Sequence, residues 1–129
     1  MGSVHTLRKR VLVVEDSPII LRLIEVCFRP MNLDVTMVPN GIAGLESAAI
    51  YTPNLVVLDI GLPGIDGWEV LAGLQRAELT ERVPVLMLTG HGESFGEAEA
   101  TQRGAAGFMT KPSLPEALRA TVTGLLRAA

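Results

Sequence analysis

Short apolar blocks of strand length alternate along this chain with longer stretches in which apolar residues recur at helical spacing. Five blocks read as strands: Arg10–Val14, Asp34–Val38, Asn54–Leu58, Val85–Leu88 and Gly107–Met109. Four are almost purely apolar, as strands covered on both faces should be. The second, Asp-Val-Thr-Met-Val, alternates instead, which places it at a sheet edge with Thr36 toward water.

Helix signals fall between the strands. Ser17-Pro18 offers an N-cap followed by proline at the first helical position, with Ile20, Leu23, Ile24 and Cys27 on one face and Pro30 as the stop. Asn40-Gly41 opens a second helix to about Ile50, with Ile42, Leu45 and Ala49 expected inward. Capping-box spacing marks three more starts: Asp66 with Glu69, Ser94 with Glu97, and Ser113 with Glu116. In the last helix, Pro115 lies in the first turn and Leu118, Val122, Leu125 and Leu126 supply the buried stripe. Repeated strand–helix units of this kind predict an α/β fold with a mostly parallel, doubly wound sheet.

Composition narrows the picture. At 129 residues the chain fits one compact domain. Residues 1–8 read as a disordered N-terminal segment or an expression remnant, and 9–129 as the domain. The last helix ends with the chain at Ala129, so no output domain is expected. Hydrophobic residues make up 48%, yet no block approaches the ~20 residues of a membrane span, and no apolar leader follows Met1. A cytoplasmic protein without membrane contact is expected. The single cysteine, Cys27, excludes an internal disulfide and a cysteine-rich metal site. With net charge −3 and no basic run beyond Arg8-Lys9-Arg10, direct DNA binding is not expected either.

The candidate chemistry lies at the carboxyl ends of the strands. Glu15-Asp16 follow the first, Asp59 the third, Thr89 the fourth, and Thr110-Lys111 the fifth. Open α/β sheets bind ligands beyond those ends, and right-handed crossovers bring the first and third strands side by side, so these groups should converge. Three converging carboxylates repel, each pair by ~4 kcal/mol at 4 Å and an effective dielectric near 20. Mg2+, an oxygen-seeking cation, would offset that repulsion, with Lys111 adding a positive charge and Thr89 a hydroxyl. Cation, ammonium and hydroxyl around one carboxylate match the needs of a phosphoryl group's oxygens. The implied reaction is phosphorylation of a carboxylate, with Asp59 the nucleophile because it opens a glycine-rich loop through Gly67.

These segments resemble the receiver domain of bacterial response regulators. The likeness runs from Val11 to about Leu126: Val-Val-Glu-Asp, Leu-Val-Val-Leu-Asp with Leu-Pro-Gly-Ile-Asp-Gly behind it, Pro-Val-Leu-Met-Leu-Thr-Gly, and Gly-Ala-Ala-Gly-Phe-Met-Thr-Lys-Pro. The resemblance implies a flavodoxin-like five-stranded sheet in order 2-1-3-4-5, one of the common doubly wound orders. It also implies that Asp59 accepts a phosphoryl group from a histidine kinase or histidine phosphotransfer protein, and that the chain is not a turnover enzyme. Asp16 would bind Mg2+ directly, Glu15 through water, and Gly61 through its backbone carbonyl. Lys111 and Thr89 would meet the phosphoryl oxygens, and Thr89 would draw Phe108 inward. A downstream protein target is expected on the fourth helix, the fifth strand with Phe108, and the fifth helix with Arg119 and Arg127.

Some positions depart from the family's pattern. Gly61 stands where a side chain is usual, and Gly90 where alanine or serine is commoner, so water should reach the acyl phosphate unless His91 at the rim screens it. Phe108 replaces a frequent tyrosine and can switch only by apolar burial. The segment from Ser94 to Arg103, anchored by Phe95 and Ala98, is expected to be among the less stable elements, as a two-state element must be. Trp68 reads as a packing residue.

Rival functions fit less well. A flavin binder needs a Ser/Thr/Gly phosphate loop after the first strand, where Glu15-Asp16-Ser17-Pro18 stands. A phosphatase of the haloacid dehalogenase type needs a second aspartate two residues beyond the first, where Gly61 stands. The remaining alternative is a receiver-shaped interaction module that works without phosphate.

Overall fold

The computed structural model describes residues 8–90, 96–111 and 115–128. Five parallel strands form one sheet in the order β2-β1-β3-β4-β5, namely β1 Arg10–Val14, β2 Asp34–Val38, β3 Leu55–Asp59, β4 Val85–Thr89 and β5 Gly107–Thr110. The flavodoxin-like arrangement expected from the sequence is therefore present, with the alternating strand at one edge. β3 begins one residue later than its apolar run suggested. Asn54 is a bracket: its side-chain oxygen accepts the Arg10 N–H at 2.8 Å, and its own N–H donates to the Arg10 carbonyl at 2.8 Å.

Because side chains alternate across a strand, each apolar run feeds two cores. Leu12, Val14, Val56, Leu58, Val85 and Met87 face one side. There they meet α2 (Gly41–Ile50) and α3 (Gly67–Arg76) through Ala48, Val70, Leu71 and Leu74. Val11, Val13, Leu55, Val57, Leu86 and Leu88 face the other. They meet α1 (Pro18–Phe28) and α5 (Pro115–Ala128) through Ile24, Cys27, Phe28, Leu118 and Val122.

The caps of α1, α2 and α3 are the expected ones. Ser17 Oγ accepts the Ile20 N–H at 3.3 Å and Asn40 Oδ1 the Ala43 N–H at 2.8 Å. Asp66 and Glu69 form a reciprocal capping box, each side chain accepting the other's backbone N–H at 2.9 and 3.0 Å. The boxes expected at Ser94 and Ser113 lie outside the described residues, and α4 (Glu97–Gln102) has Gly96 as its N-cap.

Three inward faces differ from expectation. In α1, Leu23 is 52% exposed, and Phe28 joins Ile24 and Cys27 as the buried set. In α2, Ile42 is 54% exposed and Ala49 is exposed, while Gly41, Gly44 and Ala48 are buried. The reason is distance. A Cβ on Gly41 would fall 2.6 Å from both Ile65 Cγ1 and Val70 Cγ2, and one on Gly44 would fall 2.9 Å from Val14 Cγ2. The helix lies so close to its neighbours that only its smallest residues fit beneath it. In α4, Ala98 is exposed and Ala100 is the buried residue, while Phe95 lies outside the described residues.

This packing ranks two substitutions against their hydrophobicity. Gly41→Val should destabilise by ~1–3 kcal/mol through overpacking, while Ile42→Ala should change stability by no more than ~0.5 kcal/mol, both read from urea unfolding midpoints. The reverse ranking would return Ile42 to the core.

Candidate functional site

Four of the five strands, all but β2, deliver a group to the same end of the sheet. Asp59 is the last residue of β3 and pairs with Leu88 of β4, and the next N–H, that of Ile60, donates to the Leu88 carbonyl at 2.9 Å. Its backbone is thus held by the ladder while its side chain projects past the strand end. Glu15 follows β1, its N–H donating to the Val38 carbonyl at 3.1 Å. Lys111 follows β5, its N–H donating to the Thr89 carbonyl at 2.6 Å.

The side chains converge. Lys111 Nζ donates to Asp59 Oδ1 at 3.0 Å and to Glu15 Oε1 at 3.1 Å. Glu15 is fully buried, Asp59 is 3% exposed, and Asp16 is exposed at the mouth. One carboxylate oxygen from each of Glu15, Asp16 and Asp59 lies within 4.8 Å of the others. Backbone donors complete the cluster: Ser17 N–H reaches Glu15 Oε2 at 2.9 Å and Gly61 N–H reaches Asp59 Oδ1 at 3.2 Å.

The electrostatics follow from burial and pairing. Desolvation raises the Glu15 pKa above the usual carboxylate range, and the Asp59 charge adds to it, while the Ser17 N–H and Lys111 pull it back. Burial alone would lower the Lys111 pKa, but its hydrogen bonds to Asp59 and Glu15 outweigh that and leave it raised. The ammonium therefore stays charged at neutral pH and neutralises part of the carboxylate charge.

Thr89 is 3% exposed at the end of β4, and its hydroxyl donates to the Gly90 carbonyl at 3.4 Å. A Cβ on Gly90 would meet nothing within 4 Å among the described residues. Phe108 is half-buried in β5 and packs against the core layer that faces α2 and α3. His91 lies outside the described residues.

Two supporting residues escaped sequence reasoning. In the sequence Gly67 is only the last residue of the glycine-rich loop that Asp59 opens. A Cβ there would fall 2.3 Å from the Asp59 carbonyl oxygen and 2.7 Å from Ile60 Cα. The start of α3 therefore rests directly on the backbone behind Asp59, fastened by the Gly67 N–H donating to the Ile60 carbonyl at 2.8 Å. Ser17 caps α1 with its side chain, and its backbone N–H also orients Glu15. Only the cap has a sequence signature, because the second role depends on where Glu15 turns.

Comparison with known proteins agrees with this geometry. The sequence profile of the response regulator receiver domain matches residues 11–123. The DNA-binding dual master transcriptional regulator RpaA of Synechocystis is 36% identical over 118 residues, covering 92% of this chain and 49% of that protein. The virulence transcription regulator BvgA of Bordetella pertussis is 42% identical over 103 residues, covering 79% and 48%. The chain thus spans about half the length of these relatives. Among solved structures, the signal receiver domain of a LuxO repressor protein from Vibrio parahaemolyticus superposes with a TM-score of 0.88 at 29% identity, covering 95% of this chain and 92% of that one.

The central ion pairs make a stability prediction. In chelator-containing buffer, Lys111→Met leaves Glu15 and Asp59 as buried carboxylates without a cation and should destabilise the fold by ~3–5 kcal/mol. Chemical denaturation measures this, and a loss under ~1 kcal/mol would mean that Lys111 is not what holds the two charges together.

Proposed function

The chain belongs to the response regulator receiver domain family, and we propose that Asp59 is its phospho-acceptor, with Lys111, Thr89, Glu15 and Asp16 as the working groups around it. The observation that carries this assignment is the Lys111 ammonium 3.0 Å from Asp59 at the open end of the sheet, with two further acidic residues beside it. A carboxylate oxygen of Asp59 attacks phosphorus, the new O–P bond forms, and the donor's N–P bond breaks, returning a neutral imidazole once it takes a proton. The donor is a histidine kinase or a histidine phosphotransfer protein. Lys111, bonded to Asp59, would meet one phosphoryl oxygen, and the Thr89 hydroxyl, now donating to the Gly90 carbonyl, would meet another.

The donor set also fits Mg2+. Glu15, Asp16 and Asp59 offer oxygen ligands alone, one of them exposed at the mouth, which suits a small hard cation that keeps several waters. We assign Asp16 and Asp59 as direct ligands, Glu15 as a ligand through water, and the Gly61 carbonyl as a further one. When bound, Mg2+ would supply charge neutralisation between the carboxylates and the incoming phosphoryl group.

Phosphorylation then acts on protein contacts. The surface of α4, β5 with Phe108, and α5 is the proposed output face, supported by the slight burial of α4 and the half-buried Phe108. The acceptor modifies only itself and has no separate substrate to turn over. The DNA binding of the regulator RpaA is not assigned to this surface. Among the described residues no helix is long and apolar enough to cross a membrane.

Intact-mass analysis after incubation with acetyl phosphate tests the assignment. The parent chain should gain one phosphoryl group only with Mg2+ present, hydroxylamine should remove it, and Asp59→Asn should gain none. No addition together with no Mg2+ binding by titration would instead leave a phosphate-independent interaction module. Gly90→Ala, whose methyl meets none of the described residues, should lengthen the phosphoform lifetime by ~2- to 5-fold, below ~1 kcal/mol of barrier, when the decay is followed by mass.

A further inference from the structure

Trp68 is the chain's one tryptophan and stands in the first turn of α3. The Arg103 guanidinium covers its ring at 4.7 Å from the centroid. Arg103 is the C-cap of α4, and two further contacts hold it: its carbonyl accepts Gln75 Nε2 from α3 at 2.7 Å, and its Nε pairs with Glu99 at 2.6 Å. Gly104 then turns the chain at φ 98°, a left-handed conformation that favours glycine, beside the Gln75 amide. α4 has six residues and one buried side chain, Ala100. Apolar burial therefore holds it weakly: it rests on β5, and Arg103 ties its C-terminal end to α3.

The far end of this attachment reaches the site. Trp68 directly follows Gly67, whose backbone packs on the Asp59 carbonyl and bonds Ile60. The contact is seen together with one arrangement of the site, in which Lys111 spans Glu15 and Asp59 and the Thr89 hydroxyl bonds the Gly90 carbonyl. We propose that Arg103 and Trp68 form a latch that fastens α4 to α3 and favours the unphosphorylated arrangement, so that latch and phosphorylation oppose each other. Arg103 and Trp68 are thus positioning residues for the switch, and the inference rests on Asp59 being the phospho-acceptor. Linkage requires the effect to be mutual: a group that strengthens α4's attachment in one state weakens binding of the ligand that selects the other.

A competing role for Arg103 is to compensate the negative end of the α4 dipole, which would not involve the tryptophan. A double-mutant cycle separates the two. Beryllofluoride, an inert phosphoryl mimic, is titrated with Mg2+ into the parent, Arg103→Ala, Trp68→Phe and the double variant, with amide exchange followed over residues 97–102. Arg103→Ala should bind beryllofluoride ~2- to 5-fold more tightly, the range expected of a half-exposed cation–π contact. It should also speed exchange of those amides and leave α1 unchanged. The double variant should gain no more than the product of the single effects allows, and measurably less. Unchanged or weaker binding by Arg103→Ala, or fully independent effects of the two substitutions, overturns the latch. Failure of the parent itself to bind beryllofluoride overturns the phospho-acceptor assignment, and the latch falls with it.

Discussion

The structure is organised around a charge problem at one end of its sheet. Glu15 and Asp59 are almost wholly removed from water, and a single ammonium, that of Lys111, lies within hydrogen-bond distance of both. Burying carboxylates is costly unless each is paired and hydrogen-bonded. The fold meets that cost with Lys111 and two backbone N–H groups, from Ser17 and Gly61. Asp16 adds a third charge at the mouth with no buried cation of its own among the described ion pairs. The cluster is thus held together but under-neutralised, a condition suited to taking up a cation and a phosphoryl group.

Parallel topology is what makes the arrangement possible. The three strands that carry Glu15, Asp59 and Lys111 all point the same way, so their carboxyl ends open on one edge. Ladder register then sets the heights: Val14 opposite Leu58, Asp59 opposite Leu88, and Thr89 opposite Thr110. A slip of one residue would turn Asp59 to the other side of the sheet. The two apolar cores enforce that register, since β1, β3 and β4 each bury alternate residues on both faces. The backbone behind Asp59 is further clamped by α3 through Gly67, where a single methyl group would collide with main-chain atoms.

Rigidity is not spread evenly. The central strands are buried along their whole length, whereas α4 buries one residue and β5 is half-exposed throughout most of its run. The sheet can therefore hold the site in place while its β5 edge keeps a low-stability element beside it. A charge change at Asp59 has a stiff path inward, through the ladder, and a compliant one outward, toward α4 and Phe108. This contrast gives a phosphorylation switch a part that can move without unfolding the rest.

Strand positions, the edge location of β2, the three observed caps and the convergence of Glu15, Asp16, Asp59 and Lys111 were legible in the sequence. The first three follow from local pattern, namely alternation, capping chemistry and apolar runs, and the convergence follows from the crossover rule applied to the polar residues that end those runs. The inward face of α2 was not, because hydrophobicity points to Ile42 and Ala49 whereas close approach to Val14, Ile65 and Val70 selects glycine. Leu23 and Ala98 failed for a similar reason: a helix carries apolar residues around more than one face, and which face is covered depends on the partner surface. Gly67 beneath Asp59, the second role of Ser17 and the Arg103 contact with Trp68 join residues that no local pattern relates. Local sequence determined which groups stand at the strand ends, and only tertiary packing decided the distances between them, because those distances come from how closely whole elements can approach.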